Sequence, residues 1–146
     1  MADSDRRRTD ILHEYFIPPE RCDDFLAACR EIIAASKQDL LNVTLRYLDA
    51  DPVSVLAFAP RPRIAAVLLF THARTKEADS AMQVMTEHLI DKVLALGGSF
   101  YLPYRLHART DQVRAAYPRL DEFVAKKREY DPQLRFRNLM WDKYFT

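Results

Sequence analysis

The side chains able to do chemistry fall into two groups. Asn42, Thr44 and Arg46 alternate with Leu41, Val43, Leu45 and Tyr47 in the run Leu40-Leu-Asn-Val-Thr-Leu-Arg-Tyr-Leu48. Strand side chains point to opposite faces in turn, so the alternation predicts a half-buried strand with these three on one polar face. Thr71 and His72 end the next apolar run, and Tyr101, Tyr104, Arg105 and His107 crowd a third segment. Hydroxyls, phenols, guanidiniums and imidazoles projecting from one sheet suit a polyhydroxylated or anionic ligand. Thr44 and Arg46 equally suit any solvated sheet surface, and that reading stays open beside the first.

The elements that position these residues follow from periodicity. Ile11 to Ile17 is short, aromatic-rich and stopped by Pro18-Pro19, the mark of a strand. A helix over about 19–36 follows, with acidic residues in its first turn and Phe25, Cys29, Ile32 and Ile33 on one stripe. The strand over 40–48 comes next. Pro52, Pro60 and Pro62 then mark an excursion loop or edge strand. Ile64 to Thr71 is continuously apolar, as a central strand is. Thr75 can cap a helix whose stripe is Ala78, Met82, Met85, Leu89, Val93 and Leu96, ended by Gly97. Ser99 to Leu102 reads as a fourth strand closed by Pro103.

The order β-α-β-β-α-β is the ferredoxin-like split pattern of the α+β class: a four-stranded antiparallel sheet with two helices on one face. Short helices are expected at 110–117, with Thr110 as cap, and at 118–130. Residues 1–9 read as a disordered lead and 10–146 as one domain, with a core at 10–108 and an extension at 109–146. A solvated tail has no use for Phe136, Trp141, Tyr144 and Phe145, so the tail should dock on something.

Composition excludes several classes. The 146 residues are 49% hydrophobic and 29% charged, the mix of one globular domain. The longest apolar run, Ile64 to Phe70, is far short of the roughly 18 residues a membrane helix needs. The polar start is no secretory signal, from which a cytoplasmic location is expected. A net charge of +1 offers no field for nucleic acid or anionic lipid. The two glycines, Gly97 and Gly98, are adjacent, so neither a dinucleotide fingerprint nor a phosphate loop can be built. Cys22 and Cys29 lie two helical turns apart, too far for a disulfide within one helix, and read as free thiols. Histidine and cysteine spacings give no metal signature.

Several segments together resemble a known family. They are Gly97-Gly-Ser-Phe-Tyr-Leu-Pro-Tyr-Arg-Leu-His107, Ala116-Tyr-Pro-Arg-Leu-Asp-Glu-Phe123, Lys127-Arg-Glu-Tyr-Asp-Pro132 and Phe136-Arg-Asn138 with its closing Trp-Asp-Lys-Tyr-Phe. In order and spacing they resemble the C-terminal end of FAD-linked oxidases of the vanillyl-alcohol-oxidase type, nearest the alditol and aldonolactone oxidases and the decaprenylphosphoryl-ribose oxidase. The likeness runs from Glu14-Tyr-Phe-Ile-Pro18 to the terminus, and Lys127 to Asn138 is its most specific part.

The resemblance implies a substrate-binding cap whose open sheet face roofs a flavin. The FAD is held by a domain expected outside this sequence, in the same parent chain or a separate subunit. It implies hydride transfer from a hydroxyl-bearing carbon to the flavin, with Arg46 and Tyr104 as catalytic residues. By the resemblance Thr44 and Thr71 are substrate contacts and Tyr104 lies near flavin and substrate; the sheet-face reading adds Asn42, His72, Tyr101, Arg105 and His107 as substrate contacts, and Asn138 is a further candidate beside the cofactor. It also implies that the aromatic tail packs on the flavin domain. Thr44 stands where alditol oxidases carry a carboxylate, and Tyr104 where relatives often carry a lysine, so the substrate is open. Arg46→Ala is expected to lower turnover with little effect on folding. The rival from another class is a non-enzymatic ferredoxin-like module that binds a small ligand or dimerises through its exposed sheet, a possible homodimer in either case.

Overall fold

The computed structural model describes residues 7–146. The chain forms β1 (Arg8–Ile17), a 3-10 turn (Pro19–Arg21), α1 (Cys22–Ser36), β2 (Asp39–Leu48), β3 (Arg63–Ala73), α2 (Lys76–Ala95), β4 (Ser99–Phe100), α3 (Thr110–Ala116), α4 (Leu120–Tyr130) and α5 (Leu139–Tyr144). The four strands make one antiparallel sheet in the order β2-β3-β1-β4, the ferredoxin-like arrangement expected from the element order.

Cross-strand register sorts the side chains by face. Ile11, His13 and Tyr15 of β1 stand opposite Phe70, Leu68 and Ala66 of β3. Phe25 of α1 packs on Tyr15 with ring centroids 5.3 Å apart, and Thr86 of α2 approaches His13. Both long helices therefore cover this face, and the main core lies beneath them. Leu12, Glu14 and Phe16, with Ala65, Val67, Leu69 and Thr71, belong to the other face. The 49–62 loop closes one end of that face by stacking Phe58 on Phe16 at 4.4 Å.

The elements start and stop for identifiable reasons. Thr75 caps α2, its hydroxyl accepting the Ala78 N–H at 3.2 Å. Gly97 ends that helix at φ 76°, a left-handed conformation that favours glycine. Gly98 is needed for space: a Cβ there would collide with the Phe16 carbonyl and the Val93 side chain.

Four expectations change. β1 begins at Arg8, which pairs with Ala73, so only residues 1–6 of the expected lead lie outside the description. β4 is two residues long; the Tyr101 N–H still reaches the Glu14 carbonyl at 2.9 Å, but the chain then turns away ahead of Pro103. β2 is exposed along nearly its whole length rather than half-buried, because it is the sheet edge and α1 does not cover it. Arg109, not Thr110, occupies the cap position of α3, and the buried Gln112 reaches back to accept its N–H at 3.0 Å.

The tail brings the largest correction. Trp141, Tyr144 and Phe145 are buried within this chain, where Phe123 and Phe145 meet at 5.2 Å and the Tyr144 hydroxyl donates to the Ala108 carbonyl at 3.0 Å. These aromatics belong to the domain's own core, where they pack with α3 and α4. Of the tail's large apolar side chains, Phe136 and Leu139 remain strongly exposed.

Candidate functional site

One buried carboxylate organises the open face. Glu14 lies mid-strand in β1 opposite Val67, and Thr44 stands opposite the same Val67 from β2. Arg46 sits two rows further along, opposite Ala65, which in turn faces Phe16. Glu14 and Arg46 are therefore two strand spacings across and two rows along from each other, roughly 12 Å, a span that only a long side chain bridges. Arg46 crosses over Ala65 to form an ion pair with Glu14. A larger residue at 65 would block that path. Glu14 is 8% exposed, so the pair holds a carboxylate that would otherwise be buried alone.

Tyr104 completes the cluster. Its phenol is pushed up from the ordinary tyrosine range by burial and by the Glu14 carboxylate beside it, with Tyr101 adding to the shift. It stays protonated at neutral pH and serves as a hydrogen-bond donor. Tyr101 packs edge-on against Tyr104 at 4.8 Å and against Phe58 at 5.9 Å, which fixes the phenol's position. Beside the cluster lies an open cavity lined by Asp10, Ile11, Leu12, Leu69, Tyr104 and Arg105. An apolar floor with a few convergent polar groups is the usual make-up of a small-molecule site.

The expected site residues divide. Arg46, Tyr101 and Tyr104 come together around Glu14, and Thr44 shares their face from the edge strand, where its hydroxyl accepts the Asn42 amide at 3.2 Å. Thr71 shares the open face but pairs with Asp39, six rows from the row of Arg46, or roughly 20 Å along the strand. It is engaged there by the Arg8 guanidinium, 3.4 Å away. Arg105 is drawn to α2 by Asp79 at 2.6 Å.

His72 and His107 are on the helix-covered side, contrary to the expectation that they line the open face. His72 shares the side of Leu68 and Phe70, and its Nδ1 contacts the Ala73 carbonyl at 2.8 Å. His107 belongs to a buried chain of polar groups. The Tyr15 hydroxyl meets His13 Nδ1 at 3.0 Å, and His13 Nε2 meets the Thr86 hydroxyl at 3.4 Å. That hydroxyl donates to the Met82 carbonyl at 2.7 Å and meets His107 Nδ1 at 3.4 Å. Since its one proton is committed to Met82, the Thr86 oxygen accepts from His13 Nε2, which leaves His13 Nδ1 to accept the Tyr15 hydroxyl, while His107 Nε2 faces the Asp79 carboxylate at 3.4 Å. Burial lowers the His13 pKa to about 3 and also depresses His107, so both are neutral. These groups tie β1, α2 and the 101–109 segment together.

Asn138 is used as a helix cap: its Oδ1 accepts the Trp141 N–H at 2.9 Å. The glycines offer no phosphate cradle either, since Gly97 stops α2 and Gly98 is pressed against Phe16 and Val93. Among the described residues no group of three His, Cys, Asp or Glu side chains gathers as metal ligands, and no helix is long and apolar enough to cross a membrane. The Cys29 thiol is pushed up to about 12 by burial and is unreactive.

No protein-family model matches the chain. Comparison with curated proteins also gives no match.

Glu14 is the residue that sequence reasoning passed over. The signal was a lone carboxylate inside the apolar strand Ile-Leu-His-Glu-Tyr-Phe-Ile, at the same parity as Leu12 and Phe16. The ion pair also alters the expectation for Arg46→Ala. Removing the guanidinium strands a buried carboxylate, so this substitution affects folding as well as any ligand.

Proposed function

We propose that the open sheet face is the substrate-binding surface of an FAD-dependent oxidoreductase acting on a hydroxyl-bearing substrate, and that it works against a flavin-holding domain or subunit. The observation that carries this reading is the Arg46–Glu14–Tyr104 cluster on the open sheet face, two of whose members, Arg46 and Tyr104, the family likeness also singles out. In such a site the Tyr104 phenol and the Thr44 hydroxyl orient the substrate's hydroxyl groups. Arg46, held by Glu14, contributes donors at a fixed position without carrying a free positive charge. Flavin, when present, accepts the hydride. This chain's share is to bind, orient and exclude water.

The burial of Trp141, Tyr144 and Phe145 favours a second reading. A domain that completes its own core has less need of a flavin domain, which brings back the ferredoxin-like module binding a small ligand without chemistry. One preparation separates the two. The protein carrying this chain is purified natively and its visible spectrum recorded before and after anaerobic addition of polyols, aldonolactones and hydroxy acids. The oxidoreductase reading predicts a co-purifying flavin that one of these classes bleaches. Absence of flavin, with a melting temperature raised by a small ligand, favours the module.

A further inference from the structure

β2 is the least protected element of the fold. It forms one edge of the sheet, so among the described residues the outer main-chain N–H and C=O groups of this ten-residue strand have no strand beside them. On its helix side Val43, Leu45 and Tyr47 are 43%, 48% and 62% exposed, and they continue into an apolar groove with Leu26 and Ile33 of α1. Natural edges are usually blunted by proline, lysine or short length. Residues 39–48 contain neither proline nor lysine, and only the bulge at Leu41 interrupts the strand.

We propose that this edge pairs antiparallel with the same edge of a second copy, two-fold about Leu45, to make a continuous eight-stranded sheet. The register is self-complementary. Over 42–48, Leu45 then meets Leu45, Val43 meets Tyr47, Thr44 meets Arg46 and Asn42 meets Leu48. Each pair shares a face, as opposed residues in antiparallel strands must. A two-fold at Arg46 would oppose two guanidiniums, and one at Thr44 would run the pairing into the bulge. The Leu45 axis alone uses the whole straight segment. Charge does not oppose it: the chain carries +1, and Arg46 is already paired with Glu14. The proposal is independent of the flavin reading.

Sedimentation equilibrium of the full chain at micromolar concentration tests it, with two variants. The wild type is expected at twice the monomer mass. Leu45→Lys, which sets two ammonium groups face to face, is expected at the monomer mass with unchanged circular dichroism. Leu45→Cys, in a Cys22→Ser/Cys29→Ala background, is expected to cross-link on oxidation. A wild-type chain that stays monomeric overturns the proposal. So does a dimer indifferent to Leu45→Lys, or one whose residue-45 thiols do not cross-link.

Discussion

Glu14 and Arg46 define what single substitutions should do. Arg46→Ala leaves a carboxylate in a buried position without its partner and is expected to cost about 1–3 kcal/mol of stability. Glu14→Gln leaves a half-exposed guanidinium that water can solvate, and its cost is expected to be smaller. The double variant should recover part of the Arg46→Ala loss. Urea unfolding of the four proteins measures this cycle, and additive losses would show that the pair is not coupled. His13 sets a pH dependence. Its folded pKa of about 3 lies below its ordinary value near 6.5, so the folded state keeps it neutral while the unfolded chain takes up a proton as pH falls through that value. Stability is therefore complete above about pH 7 and falls below it, by about 2 kcal/mol on going to pH 5 from this group alone. His107 acts in the same direction. Melting temperatures across this range check it, and His13→Gln should flatten the slope.

At the scale of elements, α5 and the turn at Gly98 bear most on integrity. Trp141 is 4% exposed and packs with Phe123 and Phe145, so Trp141→Ala is expected to cost about 3–5 kcal/mol. Deleting 139–146 should loosen α3 and α4 with it, visible as lost near-ultraviolet dichroism. A tail that served only to dock on another domain could be removed without that loss. Gly98→Ala should destabilise as well, because the methyl meets a backbone carbonyl that cannot move without shifting β1.

The elements themselves were legible in the sequence. Thr75, Gly97 and the Met82–Leu89 stripe bound α2, and Pro18-Pro19 stops β1, because capping, positive φ and apolar periodicity are local properties. What was not legible depends on neighbours. The alternation of 42–48 told correctly which of its residues share a face. It did not tell that β2 lies at the edge beyond the reach of α1, which left both faces open. Thr71 looked like a partner of Arg46 until the register put six rows between them. His72 and His107 were sorted to the wrong side because face assignment near a strand's end or beyond it has no alternation to follow. Glu14 was hidden because its meaning lies in a residue 32 positions away on a strand that is not its neighbour.

As a whole the chain completes its own core and presents one polar cluster on the open sheet face. The proposed function requires that this cluster handle a substrate. The most direct test is steady-state turnover of the flavin-containing protein carrying Tyr104→Phe, which removes one hydroxyl and little else. The expected result is a fall in kcat/KM of about tenfold or more, the equivalent of about 1.4 kcal/mol of lost hydrogen bonding, in a protein that is still fully folded at the assay temperature. An unchanged kcat/KM would contradict it.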